Sequence, residues 1–275
     1  MYGMGVLQEL DDDMEVGEII VNCYRYPTFE SNIYYYRNQK KYKYDRQFNS
    51  FEEMYGVFER AVSFENKELN SVENAQIETI RANRDRVNII IPEASESYVM
   101  NIRKFGNFVP NLENMKKSGT IDDTLEKLIS ALVRGKANIG IGGGMNTGKT
   151  TQINYMLTYT EKDELKVVVS SVAETDVERD LKGHHLVILN VNEEKGFTFN
   201  RQMRAALRTT ASRIIVPEAR GSEIRQVYEA NVKTRGNIFT AHALDDEAFL
   251  DMITDMYLDG ENSNYEYIKQ KLAKS

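Results

Sequence analysis

The sequence predicts a two-domain α/β protein, in which a smaller α+β domain precedes a mostly parallel sheet covered by helices on both faces. Three observations support this prediction. The first hundred residues read as short strands with one clear helix, whereas strands and helices alternate from Ala137 onward. A glycine-rich loop joins the first strand and helix of this second half. The 275 residues, of which 41% are hydrophobic, can supply each domain with its own core.

The N-terminal α+β domain is predicted over residues 1–105. The segment 17–22 is apolar and β-branched, and the segment 32–45 reads as a hairpin in which tyrosine and lysine alternate. Ser50 is the expected N-cap of an amphipathic helix, because Glu53 follows three residues later. Three further strands are expected in "AQIETIRA", "RVNIIIP" and "YVMNIRKF". The segment 106–119 breaks this rhythm with two glycines and a proline, and it is predicted to be a linker.

The second domain is predicted over residues 120–275, and it opens on a helix near Thr120 with two aspartates in its first turn. Apolar side chains at helical spacing share one face of that helix: Leu125, Leu128, Ile129, Leu132 and Val133. Strands alternating with helices are then expected in "ANIGI", "LKVVVSSV", "HLVILNV", "SRIIVP" and "GNIFTA". Such continuous apolar strands are typical of a parallel sheet that is buried on both faces.

The composition excludes several classes of protein. A net charge of −7 argues against a constitutive nucleic-acid binder, although the hairpin of tyrosines and lysines leaves a local basic patch open. Cys23 is the only cysteine, which excludes an intramolecular disulfide and a cysteine-based metal site. No segment approaches the roughly 20 apolar residues of a membrane span, and the start of the chain does not follow the signal-peptide pattern. The protein is therefore expected in the cytoplasm, where it can dock on a membrane protein.

The loop "GGGMNTGKTT" carries the strongest chemical signal in the sequence. It satisfies the pattern G-x-x-x-x-G-K-[ST], and it lies between a predicted strand and a predicted helix. In such a loop, glycines let the backbone amides surround a β-phosphate and the helix N-terminus adds positive potential. Lys149 is expected to reach the β- and γ-phosphates, and the Thr150 hydroxyl to bind Mg²⁺. The predicted nucleotide-binding residues of the loop are Gly143, Gly144, Met145, Asn146, Thr147, Gly148, Lys149, Thr150 and Thr151.

Acidic residues and a histidine follow three of the predicted strands. A phosphate-binding loop needs a carboxylate at the end of a neighbouring strand, to hold Mg²⁺ through water or to polarise the attacking water. Glu218 directly follows the segment "RIIVP", and Glu174 follows "VVVSSVA", with Asp176 and Glu178 close behind. His242 lies at the tip of the strand predicted in "GNIFTA". Ligands of open parallel sheets bind at the carboxyl ends of the strands, so these side chains are expected beside the loop.

Taken together, these motifs resemble those of the type II and type IV secretion ATPases, most closely the tight-adherence pilus (CpaF-like) branch, over nearly the whole chain. "GGGMNTGKTT" is similar to the Walker A loop of that family, and "AETDVE" to its Asp box, with Glu174 and Glu178. "RAALRTTASRIIVPEARG" resembles the Arg-containing helix and the Walker B strand, which ends in Glu218. "GNIFTAHA" resembles the His box. "NIRKF" resembles the last strand of the N-terminal domain, where Arg103 matches an arginine that reaches the nucleotide.

Three features depart from the family pattern. Thr175 stands where a second acid is usual, so Glu174 would act alone in the Asp box. Pro217 stands before Glu218, where a glycine is more usual. The chain ends after "YEYIKQKLAKS", short of further strands that members typically carry, so the second domain is expected to be shortened at its C-terminus.

The resemblance implies a RecA-like P-loop NTPase domain over residues 120–275 and a PAS-like fold for the N-terminal domain. It implies an ATP-hydrolysing motor that uses Mg²⁺, with Glu218 and Glu174 arranging the metal and the attacking water and His242 sensing the γ-phosphate. Glu218 would reach Mg²⁺ through water, and Thr150 would bind it directly. An arginine that neutralises the negative charge of the transition state typically raises the rate by a factor of about 10³ to 10⁵. The candidates for that role are Arg103, Arg204, Arg208 and Arg220.

The resemblance also implies the setting in which this motor works. It implies a homohexameric ring whose interdomain closure drives a platform protein of the inner membrane, in a secretion, pilus-assembly or conjugation machine. The protein would lie at the inner face of the cell membrane and bind no nucleic acid directly. There are three alternative functions. A nucleic-acid motor of the same sheet type is disfavoured by the acidic balance of the chain. A P-loop kinase would need an acceptor-binding lid, for which no Arg-rich segment is apparent. A nucleotide-binding assembly or regulatory module with little hydrolysis stays open because of Thr175 and the short C-terminus.

Overall fold

The computed structural model describes residues 3–37, 40–63, 69, 74–104, 108–144, 147–171, 181–193, 195–243, 245–259 and 263–275. The chain divides into two compact units, Met1–Phe108 and Val109–Ser275. Each unit has its own hydrophobic core, which agrees with the switch of sequence pattern between the two halves of the chain.

The N-terminal unit is built on a six-stranded antiparallel sheet with the order β3-β2-β1-β6-β5-β4. Its strands are β1 (Val16–Tyr24), β2 (Glu30–Arg37), β3 (Lys40–Lys43), β4 (Gln76–Ile80), β5 (Arg86–Ile90) and β6 (Tyr98–Arg103). Apolar and polar residues alternate along these strands, so that one face of the sheet is buried and the other is partly open. The buried face packs against α1 (Gln8–Asp12) and α2 (Phe51–Val62).

The start of α2 confirms the predicted N-cap. The Ser50 hydroxyl accepts a hydrogen bond from the Glu53 backbone N–H at 3.2 Å. The Glu53 carboxylate accepts from the backbone N–H of Asn49 at 2.8 Å, one residue before the cap. These two bonds satisfy donors at a helix end that would otherwise lack intrahelical partners.

The C-terminal unit is built on a five-stranded parallel sheet with the order β7-β11-β10-β8-β9. Its strands are β7 (Ile139–Gly143), β8 (Lys166–Ser171), β9 (Leu186–Val191), β10 (Arg213–Val216) and β11 (Ile238–His242). Its helices among the described residues are α3 (Leu112–Lys117), α4 (Asp123–Arg134), α5 (Lys149–Leu157), α6 (Phe199–Ala206), α7 (Ile224–Lys233), α8 (Asp246–Leu258) and α9 (Tyr265–Ala273).

Helices cover both faces of this parallel sheet. Successive residues of β8 enter opposite cores, because Val167 and Val169 pack with residues of α6, α7 and α8, whereas Val168 packs with residues of α4 and α5. This arrangement confirms the predicted fold class, with the parallel α/β unit preceded by the smaller antiparallel one. Three details differ from the expectation. The helix α1 was not among the elements predicted for the N-terminal domain. The helix α3 lies inside the segment predicted to be a linker, and α4 begins at Asp123, with Asp122 as its N-cap.

Candidate nucleotide site

The glycine-rich loop connects β7 to α5, as the sequence predicts. Gly148 has a φ of +85°, a left-handed conformation that glycine adopts without strain. A Cβ atom on Gly143 would come within 2.7 Å of Thr147 Oγ1, so this position also excludes a side chain unless Thr147 moves. The Thr147 hydroxyl donates to the Gly144 carbonyl at 3.0 Å. Gly143, Gly144 and Thr147 are therefore close together in front of the α5 N-terminus, a geometry that suits a phosphate.

Lys149 bridges the loop and the end of β11. Its Nζ donates to the carbonyls of Gly143 at 2.9 Å and Gly144 at 2.6 Å. The same Nζ lies 3.3 Å from His242 Nδ1. Because an ammonium group only donates, His242 Nδ1 is the acceptor, and this arrangement suits an imidazole with its proton on Nε2.

Glu218 lies two residues beyond the end of β10, and its side chain is 19% exposed. Its Oε1 is 2.8 Å from His242 Nε2, and its Oε2 accepts from Arg220 Nη2 at 2.7 Å. Burial acts to raise the pKa of Glu218, but the hydrogen bond and charge of Arg220, with a smaller contribution from His242, outweigh burial. The pKa of this carboxyl therefore lies below its usual range, and Glu218 is ionised at neutral pH.

The order of the strands explains why these side chains meet. β11 lies between β7 and β10, and His242 at its end is paired with Gly143 at the end of β7. The imidazole is consequently placed between the loop lysine on one side and Glu218 on the other. A continuous chain of polar contacts runs from Lys149 through His242 and Glu218 to Arg220, along the carboxyl edge of the sheet.

The other predicted site residues either make no side-chain hydrogen bond or ion pair with Lys149, His242 or Glu218 among the residues that the structure describes, or lie outside those residues. Thr150 and Thr151 lie in the first turn of α5 and are partly exposed. Arg103 is an exposed residue at the end of β6 in the N-terminal unit. Within the described part of the chain, neither Arg204 nor Arg208 makes a hydrogen bond or ion pair with the site. The remaining predicted site residues lie outside the described ranges: Met145, Asn146 and Glu174, together with the Asp-box neighbour Glu178.

Thr240 also belongs to this site, although the sequence pattern did not single it out. Its side chain is fully buried on β11, and its hydroxyl donates to the Pro217 carbonyl. The Thr240 carbonyl accepts from the Ala219 backbone N–H at 2.8 Å. The available signal was its spacing: Thr240 precedes His242 by two residues in one strand, so both side chains point to the same face.

The chemistry of this donor set fits a nucleoside triphosphate with Mg²⁺. The loop offers backbone amides, a helix N-terminus and the Lys149 ammonium, all of which favour phosphate oxygens. The Thr150 hydroxyl and the Glu218 carboxylate are oxygen ligands of the kind that Mg²⁺ uses, directly or through water.

Among the described helices of the chain, none combines the length and the apolar character needed to cross a membrane.

Two curated proteins are similar to this chain in sequence. The chain is 29% identical over 161 residues to a putative conjugal transfer protein of Mycobacterium tuberculosis (strain CDC 1551 / Oshkosh), a match that covers 56% of this chain and 45% of that protein. The same figures hold for a putative conjugal transfer protein of strain ATCC 25618 / H37Rv. The match therefore spans about half the length of these curated relatives.

Two solved structures resemble the whole chain in fold. The ATPase DotB of Legionella pneumophila aligns with a TM-score of 0.69 at 18% identity, covering 97% of this chain and 72% of that one. The pilus retraction motor PilT, solved with bound ADP, aligns with a TM-score of 0.67 at 19% identity, covering 98% and 75%. The family model described as "Type II/IV secretion system protein" matches residues 73–256, which is more than half of the chain. This chain belongs to the type II/IV secretion system protein family.

Proposed function

We propose that this protein is an ATP-hydrolysing motor of a type II or type IV secretion, pilus-assembly or conjugation machine. The observation that carries the proposal is the contact chain Lys149–His242–Glu218 beside the glycine-rich loop. A phosphate-binding lysine, a histidine and an ionised carboxylate are thereby held together at the carboxyl edge of one parallel sheet. DotB is an ATPase and PilT is a pilus retraction motor that binds ADP, and both agree with the proposal.

Each side chain of the contact chain has a distinct task in this proposal. Lys149 binds the terminal phosphates, exchanging the carbonyls of Gly143 and Gly144 for phosphate oxygens. Glu218, kept ionised beside Arg220, orients and polarises the attacking water. His242 contacts both Lys149 and Glu218, so a change at the terminal phosphate reaches the carboxylate through it.

The metal is assigned to Thr150 and Glu218. Thr150 would hold Mg²⁺ through its hydroxyl, and Glu218 through water. When bound, the ion would supply positive charge against the charge that develops on the phosphate oxygens. Glu174 is proposed to share the arrangement of metal and water with Glu218, on the family resemblance of "AETDVE".

The arrangement of Arg220 bears on its proposed role. Its guanidinium already contacts Glu218 of the same chain, and its side chain is 63% exposed. We therefore assign Arg220 to Glu218, and leave Arg103, Arg204 and Arg208 as the candidates for an arginine donated across a subunit interface. The ring and its inner-membrane platform partner are proposed from family membership. The match to the curated relatives, which spans about half of their length, does not extend to their partners.

Phosphate release from ATP, measured with and without Mg²⁺, tests the proposal. Lys149→Ala should stay folded and lose both nucleotide binding and turnover. Glu218→Gln should bind ATP as tightly as the unmodified chain but lose at least about a hundredfold in kcat, because the carboxylate that activates water is gone. Lys233→Ala and Glu229→Gln are matched controls, since these residues form an exposed pair on α7.

The regulatory alternative and an error in either assigned residue role would each give a different result in the same experiment. Binding of ATP without turnover in the unmodified protein would identify the nucleotide-binding assembly or regulatory module. Retained turnover in Lys149→Ala would exclude the proposed site altogether. Lost ATP binding in Glu218→Gln would show that Glu218 binds the nucleotide rather than activating water.

A further inference from the structure

The two residues that flank Glu218 are both hydrogen-bonded to the neighbouring strand β11. On one side, the Pro217 carbonyl accepts from the Thr240 hydroxyl. On the other side, the Ala219 N–H donates to the Thr240 carbonyl at 2.8 Å. Both flanking residues are buried, whereas Glu218 itself is partly exposed. One residue of β11 thus holds the backbone before and after the carboxylate.

The carbonyl of Pro217 lies at the point where β10 ends. Proline has no backbone N–H, so it cannot donate the ladder hydrogen bond that would extend β10 by one residue. Its carbonyl still accepts, and the buried hydroxyl of Thr240 donates to it. The residue before Glu218 is therefore held to β11 through its carbonyl alone.

The same strand presents the partner of Glu218. Thr240 and His242 are two residues apart on β11, so their side chains lie on one face of the strand. Thr240 fixes the backbone of Glu218, and His242 meets its carboxylate 2.8 Å away. The strand β11 is itself held between β7 and β10. Its position leaves little freedom for either contact to move independently.

We propose that Thr240 is a positioning residue for hydrolysis: its hydroxyl aims the Glu218 carboxylate at His242 and at the site of the attacking water. This inference rests on the proposed function of Glu218. It predicts a loss of turnover when the hydroxyl is removed, with nucleotide binding unchanged, because Lys149 and the glycine-rich loop are left as they were.

The test compares Thr240→Val with Thr240→Ser in the full chain, by steady-state phosphate release and by the Kd of ATP. Valine keeps the shape of threonine and removes its donor, and we expect kcat about ten- to a hundredfold lower, the effect of displacing a reacting group by up to about 1 Å. Serine keeps the hydroxyl, and its kcat should be close to that of the unmodified protein. The Kd should stay the same in both variants.

Thr254→Val is the matched control. Thr254 is also fully buried, and its hydroxyl donates to the Leu250 carbonyl at 2.7 Å within α8. Its replacement removes a comparable hydrogen bond from the same unit without touching the Glu218 turn. Thr240→Val and Thr254→Val should therefore lose similar thermal stability, while only Thr240→Val loses kcat. If Thr240→Val does not fold, Thr240→Cys replaces it, because a thiol is a weak donor and should give lower kcat than serine.

The outcomes separate this inference from the proposed function. If the unmodified protein turns over ATP and Thr240→Val matches Thr254→Val in kcat, the positioning role is wrong and the proposed function stands. A serine variant as slow as the valine variant would also overturn it, because the hydroxyl would not be the group that matters. If the unmodified protein shows no turnover, the proposed function fails and the role of Thr240 fails with it.

Discussion

At the residue scale, paired charged side chains lie at both ends of the parallel strands. Glu218 stays ionised at the carboxyl edge because Arg220 and His242 contact its two oxygens. At the opposite edge, Arg213 begins β10 with only 2% of its side chain exposed. Its Nε donates to Glu164 at 3.0 Å, and its two terminal nitrogens donate to the carbonyls of Gly236 at 3.1 Å and Val133 at 2.7 Å.

Glu164 is the counter-ion of this second cluster. Its side chain is 7% exposed, and its other oxygen lies 2.9 Å from Lys136 Nζ. Burial acts to raise the pKa of Glu164, but Lys136 and Arg213 outweigh it, so the pKa of this carboxyl is lower in the folded protein than in the unfolded chain. The stabilisation is therefore complete above the ordinary carboxyl pKa and is lost as the pH falls through the lower, folded value.

Glu164→Gln should lower the free energy of unfolding by about 3 kcal/mol at neutral pH, because it leaves the Arg213 charge buried without its counter-ion. The gap between variant and unmodified protein should narrow as the pH falls, since Glu164 is then protonated and neutral like glutamine. Urea unfolding at several pH values measures both effects. Glu229→Gln is the control, because its pair with Lys233 is exposed and worth about 0 to 1 kcal/mol. A pH-independent gap would contradict this account.

At the element scale, α4 shows how far periodicity predicts a buried face. The five apolar residues share a broad stripe of the helix, but only Ile129 and Val133 are buried within the unit, at 4% and 0% exposure. The other three apolar residues of that stripe are exposed, and Leu128 is 54% exposed. Periodicity identifies the apolar stripe, whereas the direction from which α5 packs decides which part of it is covered.

Adjacent substitutions in α4 test this assignment. Ile129→Ala should lower the free energy of unfolding by about 2 to 4 kcal/mol, because it leaves a cavity between α4, α5 and the sheet. Leu128→Ala should change it by less than about 0.5 kcal/mol, since that side chain is exposed. Urea unfolding followed by circular dichroism measures both values. Equal losses would show that Leu128 is covered as well.

At the scale of the whole molecule, the proposed ring makes a prediction about the remaining arginine candidates. Arg204 and Arg208 are exposed in the C-terminal unit, and Arg103 is exposed in the N-terminal unit. If one of these arginines completes the site of a neighbouring subunit, its replacement by alanine should lower kcat by a factor of about 10³ to 10⁵.

Mixing inactive subunits identifies such an arginine. Each Arg→Ala variant is combined with Lys149→Ala, and phosphate release is measured on the mixture. For an arginine that acts across an interface, mixed rings contain sites with an intact Lys149 from one subunit and an intact arginine from its neighbour, so turnover returns. An arginine that acts within its own chain restores none. Light scattering with and without ATP and Mg²⁺ checks that rings form; a monomer under both conditions would contradict the ring.

The amino-acid sequence by itself determined the fold class, the order of the strands and of most helices along the chain, and the residues of the glycine-rich loop. These depend on local chemistry: glycine where φ is positive, apolar runs where strands are buried on both faces, and a cap such as Ser50 where a helix begins. Lys149, Glu218 and His242 could be predicted together because the carboxyl ends of parallel strands share one edge.

Only the tertiary structure decided which side chains meet and which are covered. The order of the strands places His242 between Lys149 and Glu218, and this order does not follow the order of the sequence. The roles of Thr240 and Arg213 could not be predicted from the sequence, because their partners, Pro217 and Glu164, lie on other segments of the chain. Sequence patterns record what each segment needs locally, whereas the partner of a buried polar group is set by packing between distant segments.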